Sequence, residues 1–338
     1  MKRESSSQRL IQGTKSVLGR MLIAALGLAL TNVGLTSAMA QPGKPIVRVL
    51  VGFPPGVGTD TLARIYARAL SEAIDVNVVV ENRPGAGGQI AAQVLKQATA
   101  ESNSLMLTVD HQVVMLPLIT KTPGFDVKKD LVPVARMVNF YTCLAVPGNS
   151  PVKNLEGYID AVKKAPEMGN FGIPAPGSQP QFLGLLIGKH YKISMNPVPY
   201  RGAAPAIVDL IGGQLPAVIV PCDGLIEHRK AGKVRVLAIA AEKRYQFMPD
   251  VPTFAEYGFT MPPDSFLAVY AANSMKPELL RQITEATRKM FQSPTVMEKI
   301  ESTFMVPAYA SPEELGHIVE KSTEFWGEQV RLSNFQAQ

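Results

Sequence analysis

Gly56, Gly58, Thr59 and Asp60 are the residues whose types and spacing suggest chemistry. They follow the apolar run Val47 to Val51 and precede a segment in which Leu62, Ile65, Ala69 and Leu70 recur at helical spacing. This reads as strand, tight turn and helix N-terminus. The first N–H groups of a helix lack internal partners and lie at the positive end of its dipole, which suits such a junction to hold an anion.

Enzymatic readings of the same loop fail one by one. A nucleotidase-type phosphate loop needs GxxxxGK[ST], and Gly56-Val57-Gly58-Thr59-Asp60 contains no lysine. A dinucleotide fingerprint needs GxGxxG, and Thr61 stands at its third glycine. No GxSxG elbow occurs, and the nearest histidine to Ser178, His190, lies a full helix away. Asp60 and Asp110 would form an acid/base couple only if the fold juxtaposed them. His111, His190, His228 and His317 are scattered, without a HExxH or CxxC-type pairing. No catalytic constellation, metal site or cofactor is expected.

The N-terminus indicates where the protein works. Lys2, Arg3, Arg9, Lys15 and Arg20 form a basic leader before the apolar run Met21 to Leu30, and Ala38-Met39-Ala40 offers a small-x-small cleavage site. That is the layout of a secretory signal peptide over residues 1–40, and its apolar core is short for a membrane span. A mature exported chain beginning at Gln41 is predicted. Without the leader's five basic residues and Glu4, the formal net charge falls from +6 to +2. A near-neutral surface disfavours nucleic acid, which calls for clustered Lys and Arg. Cys143 and Cys222 both lie in apolar, strand-like contexts where a buried free thiol is common, and spacing alone does not establish a disulfide.

Strand and helix patterns alternate along the mature chain. Strands are predicted at Val76–Val80, Ser104–Val109, Leu144–Val146, Phe171–Ile173, Asn196–Pro199, Val218–Val220 and Val234–Ala240. Helices are predicted at Gln89–Gln97, His111–Ile119, Leu155–Ala165 (opened by Asn154), Gln181–Lys189 and Ala206–Ile211. Three more follow near the C-terminus, at Leu279–Phe291, Pro294–Glu301 and Pro312–Val330. The alternation indicates an α/β fold with mainly parallel central sheets. Ligands of such sheets lie beyond the carboxyl ends of strands, where the Gly/Pro loops sit.

Several motifs in register resemble one family. Phe53-Pro54-Pro55-Gly56-Val57-Gly58-Thr59-Asp60 and Glu81-Asn82-Arg83-Pro84-Gly85-Ala86-Gly87-Gly88 look like the two N-terminal signatures of the Bug-type receptors. These are the substrate-binding proteins of tripartite tricarboxylate transport systems. Phe125-Asp126, Asp130-Leu131-Val132-Pro133-Val134, Val198-Pro199-Tyr200-Arg201-Gly202, Asp209-Leu210-Ile211-Gly212-Gly213-Gln214 and Asp250-Val251-Pro252-Thr253 also fit. The resemblance runs over residues 44–335.

It implies a two-lobe type II periplasmic binding protein (a Venus flytrap) that closes over a small carboxylate without a catalytic step. Residues 41–142 plus 264–338 would form lobe 1, and 143–263 lobe 2. Phe53, Pro54, Gly56, Val57, Gly58, Thr59 and Asp60 would meet the ligand from lobe 1, with Asp60 a helix cap or, for a ligand carrying an amine or hydroxyl, a direct hydrogen-bond acceptor. Gly177, Ser178, Tyr200, Arg201, Gly202 and Ala203 would face it from lobe 2, and Arg201 has the fork for a bidentate carboxylate pair or for an exposed ion pair between the lobes. Arg83 is a further candidate. Implied partners are a small organic anion and a membrane permease or sensor kinase, with the receptor itself a monomer. The chain departs from the family pattern at Gln181, where a histidine is common, at Pro216, where an acid often stands, and over Ala100–Asn103 and Thr108–His111. His111 reads as a loop histidine with satisfied nitrogens, or as a pH-sensitive ligand contact. The rival reading is an exported α/β enzyme acting on a small carboxylate, which would need convergent acid/base side chains in the cleft.

Overall fold

The computed structural model describes residues 44–56, 58–333 and 335. The predicted signal peptide and Val57 lie outside the described residues. Two sheets organise the chain. The first contains β1 (Ile46–Val51), β2 (Asn77–Asn82), β3 (Ser104–Val109), β4 (Leu131–Phe140), β10 (Ser265–Ala272) and β11 (Val306–Ala310), in the order β11-β4-β10-β3-β1-β2. The second contains β5 (Thr142–Pro147), β6 (Asn170–Ile173), β7 (Asn196–Pro199), β8 (Ala217–Pro221) and β9 (Val234–Ala240), in the order β7-β6-β8-β5-β9.

Helices cover both faces of each sheet, so central strands are apolar on both sides. In β1, Val47, Val49 and Val51 enter one core with Leu62, Tyr66 and Leu70 of α1 (Gly58–Ala73), while Leu50 enters another with Ala91, Ala92 and Leu95 of α2 (Gln89–Lys96). This explains why β1 reads as a nearly continuous apolar run rather than an alternation. The second sheet repeats the arrangement. Leu155, Tyr158 and Ile159 of α3 (Leu155–Lys164) and Leu183 and Ile187 of α4 (Gln179–Tyr191) cover one face. Ile207 and Leu210 of α5 (Ala203–Ile211) and Leu225 and Ile226 of α6 (Asp223–Lys230) cover the other. Asn154 caps α3 as expected, accepting from the Gly157 N–H at 2.9 Å. The C-terminal helices α7 (Pro277–Met290), α8 (Pro294–Glu301) and α9 (Pro312–Leu332) return to the first sheet.

The α/β architecture with two sheets agrees with the expectation, but the pairing is mixed rather than mainly parallel. Pairs β1–β2, β1–β3, β6–β7 and β6–β8 are parallel, and five others are antiparallel. The reason lies in the strands where the chain changes sheet. β4 runs through the single residue Tyr141 into β5, and β10 brings the chain back against β4 in the opposite direction.

Cys143 of β5 and Cys222 are joined in a disulfide with Cα atoms 5.1 Å apart. The free-thiol reading fails because β5 pairs directly with β8 (Cys143 opposite Val220), which brings the residue just past β8 within bonding reach.

Candidate functional site

The loop after β1 is held by one buried carboxylate. Asp60, 2 % exposed, accepts from the Gly56 N–H at 2.9 Å and from Asn82 Nδ2 at 2.9 Å. Arg64 adds two bonds of 3.0 Å. Burial pushes this carboxyl up, and the donors from Arg64, Gly56 and Asn82 together outweigh it, so the group stays below its ordinary range. Asp60 is the third residue of α1, and its bond to the Gly56 N–H reaches back across the turn. It therefore organises the loop from beneath, as a cap does, with its oxygens already occupied. Replacing Asp60 by alanine removes the acceptor of the Gly56 N–H, of Arg64 and of one of the two bonds of the Asn82 amide, which keeps the Phe53 carbonyl, at a cost of about 1–2 kcal/mol. Denaturant unfolding checks this, and a stability loss below about 0.5 kcal/mol would contradict it.

The other first-lobe candidates surround that anchor. Pro54 and Gly56 are exposed, Phe53 and Gly58 half-buried, and Thr59 buried. Arg83 is not free for an anion: it pairs with Glu81, which also binds Arg48.

Loops of the second sheet form a separate group. The Tyr200 N–H donates to the Ile173 carbonyl at 2.9 Å and the Gly202 N–H to Pro174 at 2.8 Å, which joins the loops after β6 and β7. Gly177 takes φ +67, and a Cβ there would lie 2.3 Å from Ile119, which belongs to a core of the first sheet, so glycine is required on both counts. The Gly177 N–H donates to Gln181 Oε1 at 2.8 Å, which gives the departure at Gln181 a structural role. Ser178 is buried and its hydroxyl donates to the Ala175 carbonyl at 2.7 Å. The Tyr200 hydroxyl donates to Asp209 at 2.7 Å and is thereby turned toward α5. Arg201 is exposed, and Gly202 and Ala203 at the start of α5 are half-buried.

Between the sheets the structure brings together residues that the sequence reading did not assign to the site. A Cβ on Gly58 would meet Met305 Cε at 2.7 Å and Asp223 Oδ2, from the first turn of α6, at 3.2 Å. Tyr245 donates its hydroxyl to the Phe304 carbonyl and stacks edge-on against Tyr141 at 5.3 Å between ring centres. The signal for Asp223 was present: the apolar run of β8 ends at Pro221-Cys222-Asp223-Gly224, another strand-to-helix turn.

A second contact between elements of the two sheets centres on Asp110. Gln179 Nε2 donates to its Oδ2 at 3.0 Å, the Phe266 N–H does so at 3.3 Å, and Ser265 Oγ donates to Gln179 Oε1 at 2.6 Å. Asp60 and Asp110 are thus engaged with separate partners rather than with each other. Burial raises the Asp110 carboxyl to about 7 despite these donors. Neighbouring His111 is pushed down to about 4 by burial, and its Nδ1 is buried without a protein partner, contrary to the satisfied loop histidine expected.

The two residues bias stability in opposite directions. Asp110 in the native state binds its proton more tightly than in the unfolded chain, so its contribution falls as pH rises from about 4 to 7. His111 contributes stability above about 6.5 that is lost as pH falls toward 4. An Asp110→Asn variant isolates the first effect. Wild type should lose on the order of 3 kcal/mol relative to it between pH 4 and 7. Parallel unfolding curves at the two pH values would contradict the assignment.

Two mixed α/β sheets with helices on both faces have the two-lobe fold of periplasmic binding proteins. A solved structure described as a periplasmic transporter superposes with a TM-score of 0.79 at 26% identity, covering 88% of this chain and 100% of that one. The model of the tripartite tricarboxylate transporter family receptor, TctC, matches residues 62–334, and the chain belongs to this family. Protein BugT of Bordetella pertussis is 31% identical over 316 residues, which span 92% of this chain and 96% of BugT. R. palustris Rpa4515, solved with adipate, superposes with a TM-score of 0.79 at 26% identity over 84% of this chain and 96% of that one. The family and these neighbours are solute-binding receptors rather than enzymes.

Proposed function

We propose that the protein is an exported receptor that captures a small organic carboxylate between its lobes. It would deliver the ligand to the membrane component of a tripartite tricarboxylate-type transporter or report it to a sensor kinase. In this reading residues 1–40 are removed as a signal peptide, and the mature monomer closes lobe 1 (41–142 and 264–338) on lobe 2 (143–263). The loop from Phe53 to Asp60 carries the proposal. A buried anchor holds it at the junction of β1 and α1, where Gly58 adds no side-chain atoms of its own at the helix N-terminus that would receive the anion. Gly177, Ser178 and Tyr200 to Ala203 would complete the enclosure, with main-chain groups and bridging water doing most of the recognition.

The adipate carried by Rpa4515 supports a carboxylate as the ligand. Among the described residues no helix is long and apolar enough to cross a membrane. Native mass spectrometry of protein purified without refolding tests the reading. A stoichiometric small carboxylic acid released on unfolding is the expected result. A retained nucleotide cofactor would overturn it in favour of an exported enzyme.

A further inference from the structure

We propose that Phe304 is a clasp between the two lobes: its ring, seated against Phe247 and Lys230, holds them together before any ligand arrives. The inference goes beyond the receptor reading, because it concerns the ligand-free protein and stands whatever the ligand is.

Phe304 lies just past the C-terminus of α8, and its backbone is left-handed, at φ +59. Its N–H donates to the Glu301 carbonyl at 2.8 Å and closes the turn. Such a position beyond a helix favours glycine, since a Cβ there crowds the following carbonyl oxygen. A bulky residue persists in this conformation only where its surroundings hold it there.

Those surroundings come from elements of the second sheet. The Phe247 ring meets that of Phe304 edge-on at 5.5 Å between centres, and Lys230, at the end of α6, places its Nζ 5.3 Å from the centre of the same ring. The Tyr245 hydroxyl donates to the Phe304 carbonyl, and the Tyr245 ring packs edge-on against Phe247 at 5.3 Å. Side chains alternate along the segment that leads into β11. Phe304 and Val306 pack against a core of the second sheet, while Met305 between them is buried in a core of the first.

Separating the lobes would draw the ring out of this socket and leave the left-handed backbone without the contacts that hold it. The clasp therefore favours apposed lobes, and a ligand that binds this form need not supply the free energy to reach it.

Small-angle scattering tests this on protein stripped of ligand in denaturant and refolded with its disulfide intact. Phe304→Gly suits the backbone and removes the ring, so its radius of gyration should rise above that of the wild type. Phe247→Ala opens the socket from the other side and should give a similar rise, and the double variant should add little to either. A merely structural role would lower the unfolding midpoint and leave the radius alone. An unchanged radius in either folded single variant, or rises that add fully in the double variant, would overturn the inference. Phe247→Ala decides alone if Phe304→Gly does not fold.

Discussion

Cys143→Ala combined with Cys222→Ala should cost about 4.5 kcal/mol of stability, the entropy of leaving open a loop of that span in the unfolded chain. The bridge joins residues 79 apart in sequence, so it restricts the unfolded state far more than a short loop would. Both sulfurs are buried within the apolar core beside β5 and β8, where alanine leaves a small void and no unsatisfied polar group. The bridge holds β5, through which the chain enters the second sheet, to the start of α6, whose first residue is Asp223. The double variant should therefore melt roughly 10 °C lower, and the wild type should show the same loss under strong reductant. Identical midpoints with and without reductant would mean that the unfolded ensemble is not constrained by this bridge.

Gly58→Val is the second large effect expected, on binding rather than on stability. Valine projects into the gap between α1 and α6, where Met305 Cε at 2.7 Å can swing aside but Asp223 at 3.2 Å still limits the space. The methionine end is flexible, so the fold should lose only about 1–2 kcal/mol. A ligand carboxylate approaching the first N–H groups of α1 would instead meet two methyl groups. A loss of at least 100-fold in affinity is expected, about 3 kcal/mol. Calorimetry on the wild type and the variant, each with its circular dichroism recorded, checks this. Unchanged affinity in a folded variant would remove the loop from the site.

Elements with a strong local signature were legible in the sequence. β1, the start of α3 at Asn154, and the helices Pro294–Glu301 and Pro312–Leu332 follow from apolar runs, caps and N-terminal prolines. Three strands of the first sheet were not assigned: Leu131–Phe140, Ser265–Ala272 and Val306–Ala310. Pro133 and Pro307 interrupt two of them, and the third pairs with partners more than a hundred residues away, which no local pattern records. The mixed sheet direction was hidden for the same reason.

At the site, the glycine loops were visible because their residue types are unusual. Asp223, Gln179 and Ser265 were not, since each acquires its role only when the lobes meet. The disulfide was undecidable for a related reason: its geometry is set by the β5–β8 pairing, not by the spacing of two cysteines.

Only one residue, Tyr141, separates β4 from β5, and on the return Pro262 and Pro263 lie just before β10. Asn139 Nδ2 donates to Asp264 Oδ2 at 2.9 Å and ties the two passages side by side. Chain segments this short, or with φ already fixed by proline, have little disorder to surrender when a ligand arrives. Closure would then draw little on the free energy of the contacts, and more of that free energy would appear as affinity. A receptor joined in this way can hold a molecule of a few heavy atoms tightly, although so small a ligand has few contacts to offer.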